Sequence, residues 1–403
     1  MMSCYTCATQ FLSYDVAFCV RDAILRKTMI KIVQATTKKE QKRFLDFPYS
    51  LYKGNLCYTP PLYSDEKLLF SKKNVYFDTC ESVFFNAYDD SGKQLGRIQG
   101  IIQHASNKKT GEKRVRFTRF DCVNDVEAAS ALFSAVENWA KQKGCNIVCG
   151  PLGFSDLERE GLLIEGFDET NTFEEQYNFE YYSKLIEAQG YQKEVDWIEY
   201  RIFKPERKNE KVNRIKELVF NRYGLHMATA KSAKEFINKY KDGIFHVLDE
   251  GYKHIYGTVP FTDRMKHQLI SQFNLIIKLD YVGAVLDKDD NVVAFGLCFP
   301  AIGDALKGGN GKLYPSTLIK LLKIANKPRR LDLGLIAVLP EYRNLGVNSI
   351  VIGGLIDLMI EKDIEYCETN LMLENNYPIQ AQWKYFEHKQ HKRRRAYIKT
   401  LEN

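Results

Sequence analysis

The sequence predicts an α/β fold, with a mixed central sheet flanked by helices, that occurs in two tandem domains. A chain of 403 residues exceeds one ordinary domain and fits two domains of roughly 200 residues. One order of elements also occurs twice: a hairpin, a strand, a helix and a further strand. We therefore expect a first domain over residues 29–205 and a second over residues 206–403, joined at the polar stretch 204–211.

The first half begins with the apolar run MIKIVQA at Met29, which predicts a first strand. Two β-rich runs, 82–89 and 94–104, flank the polar residues 90–92 and predict a hairpin. Four further elements follow from apolar periodicity, namely a strand (114–123), a helix (127–144), a strand (145–150) and a helix (179–189).

The second half repeats this order. Residues 278–287 and 291–301 predict a hairpin around the polar turn 288–290. The later elements are predicted as a helix (316–325), a strand (331–338), a helix (349–361), a strand (364–372), a short helix (378–386) and a last strand (394–401).

Residues 1–28 are expected to be a disordered N-terminal extension. Asp15 and Arg21 interrupt the apolar run that a signal peptide needs. No apolar run approaches the ~20 residues of a membrane span, and the net charge of +7 permits anionic ligands without indicating nucleic acid. We therefore expect a cytoplasmic protein with neither membrane nor nucleic-acid partners.

The ten cysteines are scattered, and most lie in apolar runs. This pattern predicts buried, reduced thiols at Cys122, Cys145, Cys149, Cys298 and Cys367. Cys4 and Cys7 have the spacing of half a zinc site, but no second half follows, so we expect no metal.

The most informative stretch is 338–349, VLPEYRNLGVNS. An apolar strand ends before Pro340, the spacing Arg343-x-x-Gly346-x-Asn348 follows, and a long apolar helix comes next. A loop that enters a helix in this way directs several N–H groups at one point, on the positive end of the helix dipole. The stretch therefore predicts an anion site suited to a diphosphate.

The order of hairpin, strand, Arg-x-x-Gly-x-small loop, helix, strand and Asn before a short helix resembles the GNAT acyltransferase superfamily. The resemblance implies that the loop holds the diphosphate of acyl-coenzyme A, and that the preceding strand binds the pantetheine arm. It thereby implies a set of cofactor-binding residues: Ile336, Ala337, Val338, Arg343, Asn344, Leu345, Gly346, Val347, Asn348, Ser349 and Asn376.

From Met29 onward the chain also resembles uncharacterised bacterial tandem GNAT-like proteins. The resemblance rests on the stretches 150–169, 177–200 and 367–379. In the first half, Asn-Asp-Val-Glu follows Val123 where the loop would stand. We therefore expect the first domain to be degenerate and the second to bind acyl-coenzyme A.

Two positions depart from the family pattern. Asn348 stands where the loop commonly ends in Gly or Ala, and Trp383 stands where many members have the Tyr that protonates the leaving thiolate. Because Trp has no labile proton to donate, another group or solvent would protonate the thiolate.

Two carboxylates are the catalytic candidates. Asp332 occupies a strand position that holds the general base in part of the GNAT superfamily, and its alternative is a solvated charge at the strand start. Glu368 would face the acceptor from the next strand, and its alternative is an edge carboxylate paired with a surface Lys. Asn376 could cap the short helix as well as touch the cofactor.

Two further segments have competing interpretations. The run 388–395, HKQHKRRR, is either a phosphate or nucleic-acid patch or a solvated turn, and charge runs favour the turn. The long polar segment 150–168, with Glu158, Arg159 and Glu160, is expected to wall the acceptor pocket. Tyr177, Tyr181 and Tyr182 either join that wall or pack against helices.

The resemblance implies an acyl-coenzyme A-dependent N-acyltransferase that passes an acyl group, acetyl in the commonest case, to a small-molecule or peptide amine by direct attack. Two alternatives remain open: a non-catalytic coenzyme A-binding or scaffold protein, and an aminoacyl-tRNA-dependent transferase. The intact phosphate loop argues against the last, because such enzymes have no need of coenzyme A.

Overall fold

The computed structural model describes residues 29–273 and 278–402. The expectations for residues 1–28, including Cys4 and Cys7, lie outside these ranges. The strands of the described chain are β1 (Lys31–Gln34), β2 (Cys80–Tyr88), β3 (Gln94–Gln103), β4 (Arg114–Cys122), β5 (Ile147–Gly150), β6 (Leu162–Glu165), β7 (Gln192–Phe203), β8 (His226–Met227), β9 (Val282–Leu286), β10 (Val292–Pro300), β11 (Arg330–Val338), β12 (Tyr366–Glu368), β13 (Met372–Leu373) and β14 (His388–Thr400).

The α-helices of the same ranges are α1 (Lys38–Leu51), α2 (Tyr63–Leu68), α3 (His104–Thr110), α4 (Val126–Gln142), α5 (Tyr182–Glu187), α6 (Glu210–Tyr223), α7 (Ala233–Tyr252), α8 (Asp263–Phe273), α9 (Gly303–Lys307), α10 (Pro315–Asn326), α11 (Asn348–Glu361) and α12 (Tyr377–Gln380). None of these helices combines the length and apolar character needed to cross a bilayer.

The strands form one mixed sheet that runs through both halves of the chain. Its order is β1-β2-β3-β4-β5-β14-β7-β12-β11-β10-β9-β8, with β6 beside β14 and β13 beside β7. The two halves exchange their last strands: β14 lies between β5 and β7, and β7 pairs with β12 of the second half. The predicted α/β class is confirmed, while the boundary at residues 205 and 206 stays a prediction.

In the first half, α4 packs its apolar face on the hairpin strands β2 and β3. Asp125 caps this helix by accepting a hydrogen bond from the N–H of Ala128 at 2.9 Å. The core beneath it includes Phe117, Phe133 and Tyr182, which are almost fully buried. Tyr182 and its neighbour Tyr181 are therefore packing residues, and the acceptor-wall interpretation is wrong for them.

In the second half, α7 and α11 cover the strands β9 to β11. The predicted turn 288–290 is present, because the side chain of Asp287 accepts hydrogen bonds from the N–H groups of Asp289 and Asn291 at 2.9 Å each. Asp290 takes the left-handed conformation there, with φ of 65°. The hairpin and the helix at 316–325 are confirmed.

The observed bounds of two strands differ from the predicted ones. The strand expected over 364–372 is interrupted, since pairing stops at Glu368 and resumes at Met372. The last strand begins at His388 instead of residue 394. Both differences lie beside the opening described next.

Candidate active site

The site begins where β11 and β12 separate. These parallel strands pair only at Arg330–Asp332 against 366–368. β11 then continues to Val338, whereas the chain after Glu368 turns away to pair with β7. The result is a wedge-shaped opening in the sheet, which the GNAT resemblance implies for a pantetheine arm and an acyl group.

The phosphate loop lies at the outer end of this opening. Asn344 and Gly346 both adopt positive φ, at 63° and 84°, and α11 begins at Asn348. A Cβ at Gly346 would meet Cγ2 of Val219 at 3.0 Å, so only glycine fits without displacement. Among the described residues, the N–H groups of positions 344–348 donate to no other group. They are free to bind an anion, which fits a diphosphate.

Arg343 lies beside the loop and is exposed. Its guanidinium donates to the carbonyl of Gly251 at 3.0 Å and to that of Val338 at 3.3 Å. These contacts hold the positive charge between the end of α7 and the end of β11. A diphosphate on the loop N–H groups would therefore meet a cation that is already in position.

The strand edge that faces the opening is bonded to side chains. The hydroxyl of Tyr252, on α7, donates to the carbonyl of Ile336 at 2.9 Å and accepts from its N–H at 3.4 Å. Further along, Asn370 reaches the carbonyl of Gly334 at 3.4 Å. The GNAT resemblance implies that a pantetheine arm would bond to these backbone groups, and its binding would then displace the Tyr252 hydroxyl. Ala337 is buried and lies on the same strand.

A cavity of about 1300 Å³ extends from the loop through the opening. It has two differently lined parts. The apolar part lies between β10, β11, α11 and the segment 372–383, and is lined by Tyr281, Cys298, Leu333, Leu355, Leu358, Met372, Ile379 and Trp383. The acidic part lies against the first half, and is lined by Asp156, Glu158, Arg159, Glu160, Glu174 and Glu175.

Asp332 lies at the narrow end of the opening, opposite Glu368 in the strand register. It is 5% exposed, so its interpretation as a solvated charge is wrong. Its Oδ2 has no hydrogen-bond partner among the described residues. Burial, and then the charges of Glu368, Glu174 and Glu175, hold its pKa well above the usual range. Asp332 does not line the cavity.

Glu368 is also buried and does not line the cavity. Its carboxylate binds Arg201 at 2.9 Å and Lys392 at 3.0 Å. Burial pushes the pKa of Glu368 upward, but Lys392, His391 and Arg201 outweigh it, and the net shift is downward. The alternative of an edge carboxylate beside a surface Lys is wrong, because Lys392 is 1% exposed.

Glu174 and Glu175 approach Asp332 from the first half and line the acidic part of the cavity. Glu174 is half-buried, and its side chain keeps some surface open to the cavity. Burial and the neighbouring Glu175 raise the pKa of Glu174 to about 8, against the opposing charge of Arg159. Burial and Glu199 likewise raise the pKa of Glu175. A carboxyl that titrates near neutral pH is suited to general-base work.

The segment 150–168 lines the cavity as expected, through residues 156–160. Burial raises the pKa of Asp156 to about 6 and that of Glu160 well above its ordinary range. Oε1 of Glu160 has no hydrogen-bond partner in the described chain. Arg159 donates to the carbonyl of Phe173 at 2.8 Å, which ties this segment to the one that holds Glu174.

Asn376 and Trp383 both line the cavity. Asn376 precedes α12, but its side chain makes no capping hydrogen bond, so the capping interpretation is wrong for the side chain. The indole N–H of Trp383 donates to the sulfur of Met372 at 3.2 Å. Trp383 is therefore a wall of the apolar part, with no acidic proton to offer.

The run 388–395 is neither a solvated turn nor a phosphate patch. It forms the first part of β14, where Lys392 and Arg394 are almost fully buried. Lys392 contacts carboxylates of Glu175, Glu199 and Glu368 within 3.4 Å. The side chain of His391 is buried as well, and burial and Lys392 lower its pKa to about 4. These charges are compensated inside the protein and cannot serve a ligand at the surface.

Tyr252, Glu174 and Glu175 are site residues that sequence reasoning missed. Glu174 and Glu175 stand near the long polar segment, and that position is the one signal that could have indicated them. Tyr252 ends an ordinary amphipathic helix, and nothing local distinguishes it from a packing residue.

The five cysteines predicted to be buried thiols are buried, and none of them forms a disulfide. In the described ranges no group of three His, Cys, Asp or Glu residues is placed to hold a metal ion.

No family model matches the chain. Protein YghO of Escherichia coli is 25% identical over 374 residues, which cover 90% of this chain and 94% of that protein. The bacterial ceramide synthase of Caulobacter vibrioides is 25% identical over 308 residues, covering 73% and 76% respectively.

Solved structures with the same fold are far more distant in sequence. A tandem GNAT protein from the clavulanic acid biosynthesis pathway matches 93% of this chain and 99% of its own, with a TM-score of 0.54 at 10% identity. A probable N-acyltransferase from Enterococcus faecalis matches 93% and 73%, with a TM-score of 0.51 at 9% identity. The predicted tandem GNAT fold is thereby confirmed.

Proposed function

We propose that this chain, with its tandem GNAT fold, is an acyl-coenzyme A-dependent N-acyltransferase whose second half binds the acyl donor. The observation that carries the proposal is the continuity of one cavity. It joins the free N–H groups of the phosphate loop to an apolar part and to an acidic part. A diphosphate, an acyl chain and an amine are the three ligand groups that these surfaces suit.

The acidic part suits an amine acceptor. Glu160 has an unpartnered carboxyl oxygen there, and Glu174 titrates near neutral pH. In the proposed reaction Glu174 removes a proton from the acceptor ammonium. The free amine attacks the thioester carbonyl, the C–N bond forms, and the C–S bond breaks to release a thiolate. Solvent takes the second proton from the nitrogen as the amide forms, and solvent protonates the thiolate, because Trp383 cannot.

Asp332 and Glu368 remain in this proposal as positioning residues. Neither touches the cavity, so neither would contact substrate. Glu174 and Glu175 help to raise the pKa of Asp332, and Glu368 shares Lys392 with Glu175, so Asp332 and Glu368 are both near enough to act on the acidic part. Their replacement is expected to shift a pH profile more than it lowers maximal activity.

The acyl group itself is proposed to be longer than acetyl. An acetyl group would fill only the entrance of the apolar part, which continues to Leu358 and Trp383. The name of the Caulobacter relative, bacterial ceramide synthase, supports amide formation, since a ceramide is by definition an N-acylated amino alcohol.

Calorimetry with acetyl- and palmitoyl-coenzyme A tests the donor site. Gly346→Ala should weaken binding at least about ten-fold, or ~1.4 kcal/mol, because the added Cβ meets Val219 at 3.0 Å and displaces the loop N–H groups from the diphosphate. Gly111→Ala is the matched control: Gly111 has φ of 73° with open space around it, far along the chain from the loop. No binding by the wild type, or equal affinity of both variants, would refute the donor site.

A non-catalytic coenzyme A-binding protein is the second candidate. The lack of a general acid favours it, because Trp383 stands at the usual position of that acid and offers no labile proton. Release of free thiol from palmitoyl-coenzyme A that depends on an added pool of amines, and that Gly346→Ala abolishes, would exclude it. Binding without amine-dependent thiol release would establish it instead.

A further inference from the structure

Helix α10 exposes an unusual amount of apolar surface. Five of the twelve large apolar side chains that are exposed in the described chain belong to this helix or the two residues before it. They are Leu313 (42% exposed), Tyr314 (51%), Leu318 (44%), Ile319 (56%) and Leu322 (63%). Isolated exposed apolar residues are normal, but a cluster of this kind marks an interaction surface.

The cluster follows helical geometry. Tyr314, Leu318 and Leu322 are spaced by four residues and therefore share one face, with Ile319 next to them. An adjacent side of the helix points inward through Thr317, which is buried, and Leu321, which is half-buried. Among residues 29–273 and 278–402, only this inner side is covered by the fold, and the apolar side next to it is exposed.

The sequence around this face is basic. From Ala305 to Arg330 it has seven Lys or Arg residues and no Asp or Glu. Lys307 and Arg330 pair with Asp304, and Arg329 pairs with Glu365, whereas Lys320, Lys323 and Lys327 form no ion pair with any residue in the described ranges. Lys323 flanks the apolar face beside Ile319, so its aliphatic stem can lie along an apolar phase while its ammonium group reaches an anionic one.

We propose that α10 docks the protein on the surface of an anionic lipid bilayer. Leu318, Ile319 and Leu322 would enter the interface, and Lys323 would meet lipid phosphates, as in interfacial amphipathic helices. A second copy of this chain suits the face less well, because a two-fold contact would bring the lysines of both copies together. The proposal departs from the expectation of no membrane partner, because that expectation rested on the lack of a segment that could span a bilayer.

The exposed apolar face of α10 lies near the cavity. The loop before α10 packs on the segment 61–63, where the N–H of Tyr63 donates to the carbonyl of Gly311 at 3.0 Å. Pro61 and Leu62 of that segment line the cavity wall. Docking through α10 would therefore place the cavity near the lipid surface, from which an amphiphilic substrate could enter.

Co-sedimentation of the full chain with vesicles tests the proposal. Because the experiment needs no acyl donor, a negative result would refute membrane docking without bearing on the proposed enzyme activity. Vesicles of phosphatidylcholine with phosphatidylglycerol should bind the wild type, and pure phosphatidylcholine should bind it much less. Lys323→Gln should reduce binding to the anionic vesicles roughly five-fold, and Lys320→Gln, on the far side of the helix, should reduce it less.

Leu318→Asp with Leu322→Asp should lose binding at least about ten-fold, since two apolar side chains leave the interface. The control is Leu218→Asp, because Leu218 is 59% exposed on a different helix, α6. Both variants should keep the wild-type circular dichroism spectrum, as no core side chain changes. Failure of the wild type to bind anionic vesicles, or equal loss in the control, would overturn the proposal. So would a wild-type dimer in sedimentation velocity that Leu318→Asp with Leu322→Asp dissociates.

Discussion

The hydroxyl of Tyr252 bonds to both backbone groups of Ile336, donating to the carbonyl at 2.9 Å and accepting from the N–H at 3.4 Å. A side chain from α7 thereby occupies the edge of β11 that faces the opening. In this state the chain satisfies, with its own residue, the hydrogen bonds that a bound pantetheine arm would make. A ligand must displace them before it can bind.

Tyr252→Phe should therefore bind acyl-coenzyme A more tightly than the wild type. The variant has lost a ligand-free hydrogen bond worth about 0.5–1.5 kcal/mol, so the Kd should fall by roughly two- to ten-fold. Calorimetry with palmitoyl-coenzyme A measures this directly. Tyr342→Phe is the control, since Tyr342 also lines the cavity but makes no bond to the strand edge. Weaker binding by Tyr252→Phe would mean that the hydroxyl contacts the ligand.

Glu174 should govern the pH dependence of turnover. Its pKa is raised to about 8, and a general base acts in its deprotonated form. We therefore expect kcat to rise with pH through a midpoint near 8 and to level off above it. Glu174→Gln should remove this limb and lower kcat by about 10²–10⁴-fold.

Glu165→Gln is the matched control for that profile, because Glu165 is exposed in the same half and lies outside the cavity lining. Asp332→Asn should keep the limb, since Asp332 does not line the cavity. An unchanged profile in Glu174→Gln would assign the base to another group.

Acyl chain length should control donor affinity. The apolar part of the cavity accepts methylene groups, and each one removed from water contributes about 0.8 kcal/mol, or roughly four-fold in Kd. Affinity should rise from acetyl- to octanoyl-coenzyme A and stop rising once the cavity is full. Leu355→Trp should stop the gain at a shorter chain and leave acetyl-coenzyme A binding unchanged, because Leu355 lines this part. Equal affinity for all chain lengths would contradict an acyl site here.

The phosphate loop could be predicted because its conformation is local. Gly346 and the start of α11 fix the directions of the free N–H groups within a few residues. The hairpins were predictable for the same reason, since Asp287 and its neighbours determine the turn. The GNAT resemblance then supplied the order of the strands around the loop.

The buried charges could not be predicted because their partners are remote. Lys392 is adjacent in space to Glu199 and Glu175, which precede it by 193 and 217 residues. A run of adjacent basic residues predicts a solvent-exposed segment unless those carboxylates are known to lie near it. The exchange of β7 and β14 between the halves creates that proximity, and no local pattern encodes it.

Lys392→Met should destabilise the fold strongly. Lys392 is the shared cation of Glu175, Glu199 and Glu368, and its removal leaves buried carboxylates without compensation. Loss of one partner of a buried ion pair costs about 3–5 kcal/mol, which denaturant unfolding at pH 7 can measure. Lys389→Met is the control on the same strand, because Lys389 is exposed.

The pH dependence of this loss has a definite sign. In the wild type the pKa of Glu199 is lowered to about 2, so its contribution to stability is present above its unfolded pKa and is lost as pH falls towards 2. In Lys392→Met the same carboxylates should gain protons and have raised pKa values, so the variant loses stability as pH rises. The difference between the two proteins should therefore be smaller at pH 4 than at pH 7. A difference that grows on acidification would show that Lys392 stabilises the fold by packing and not by charge.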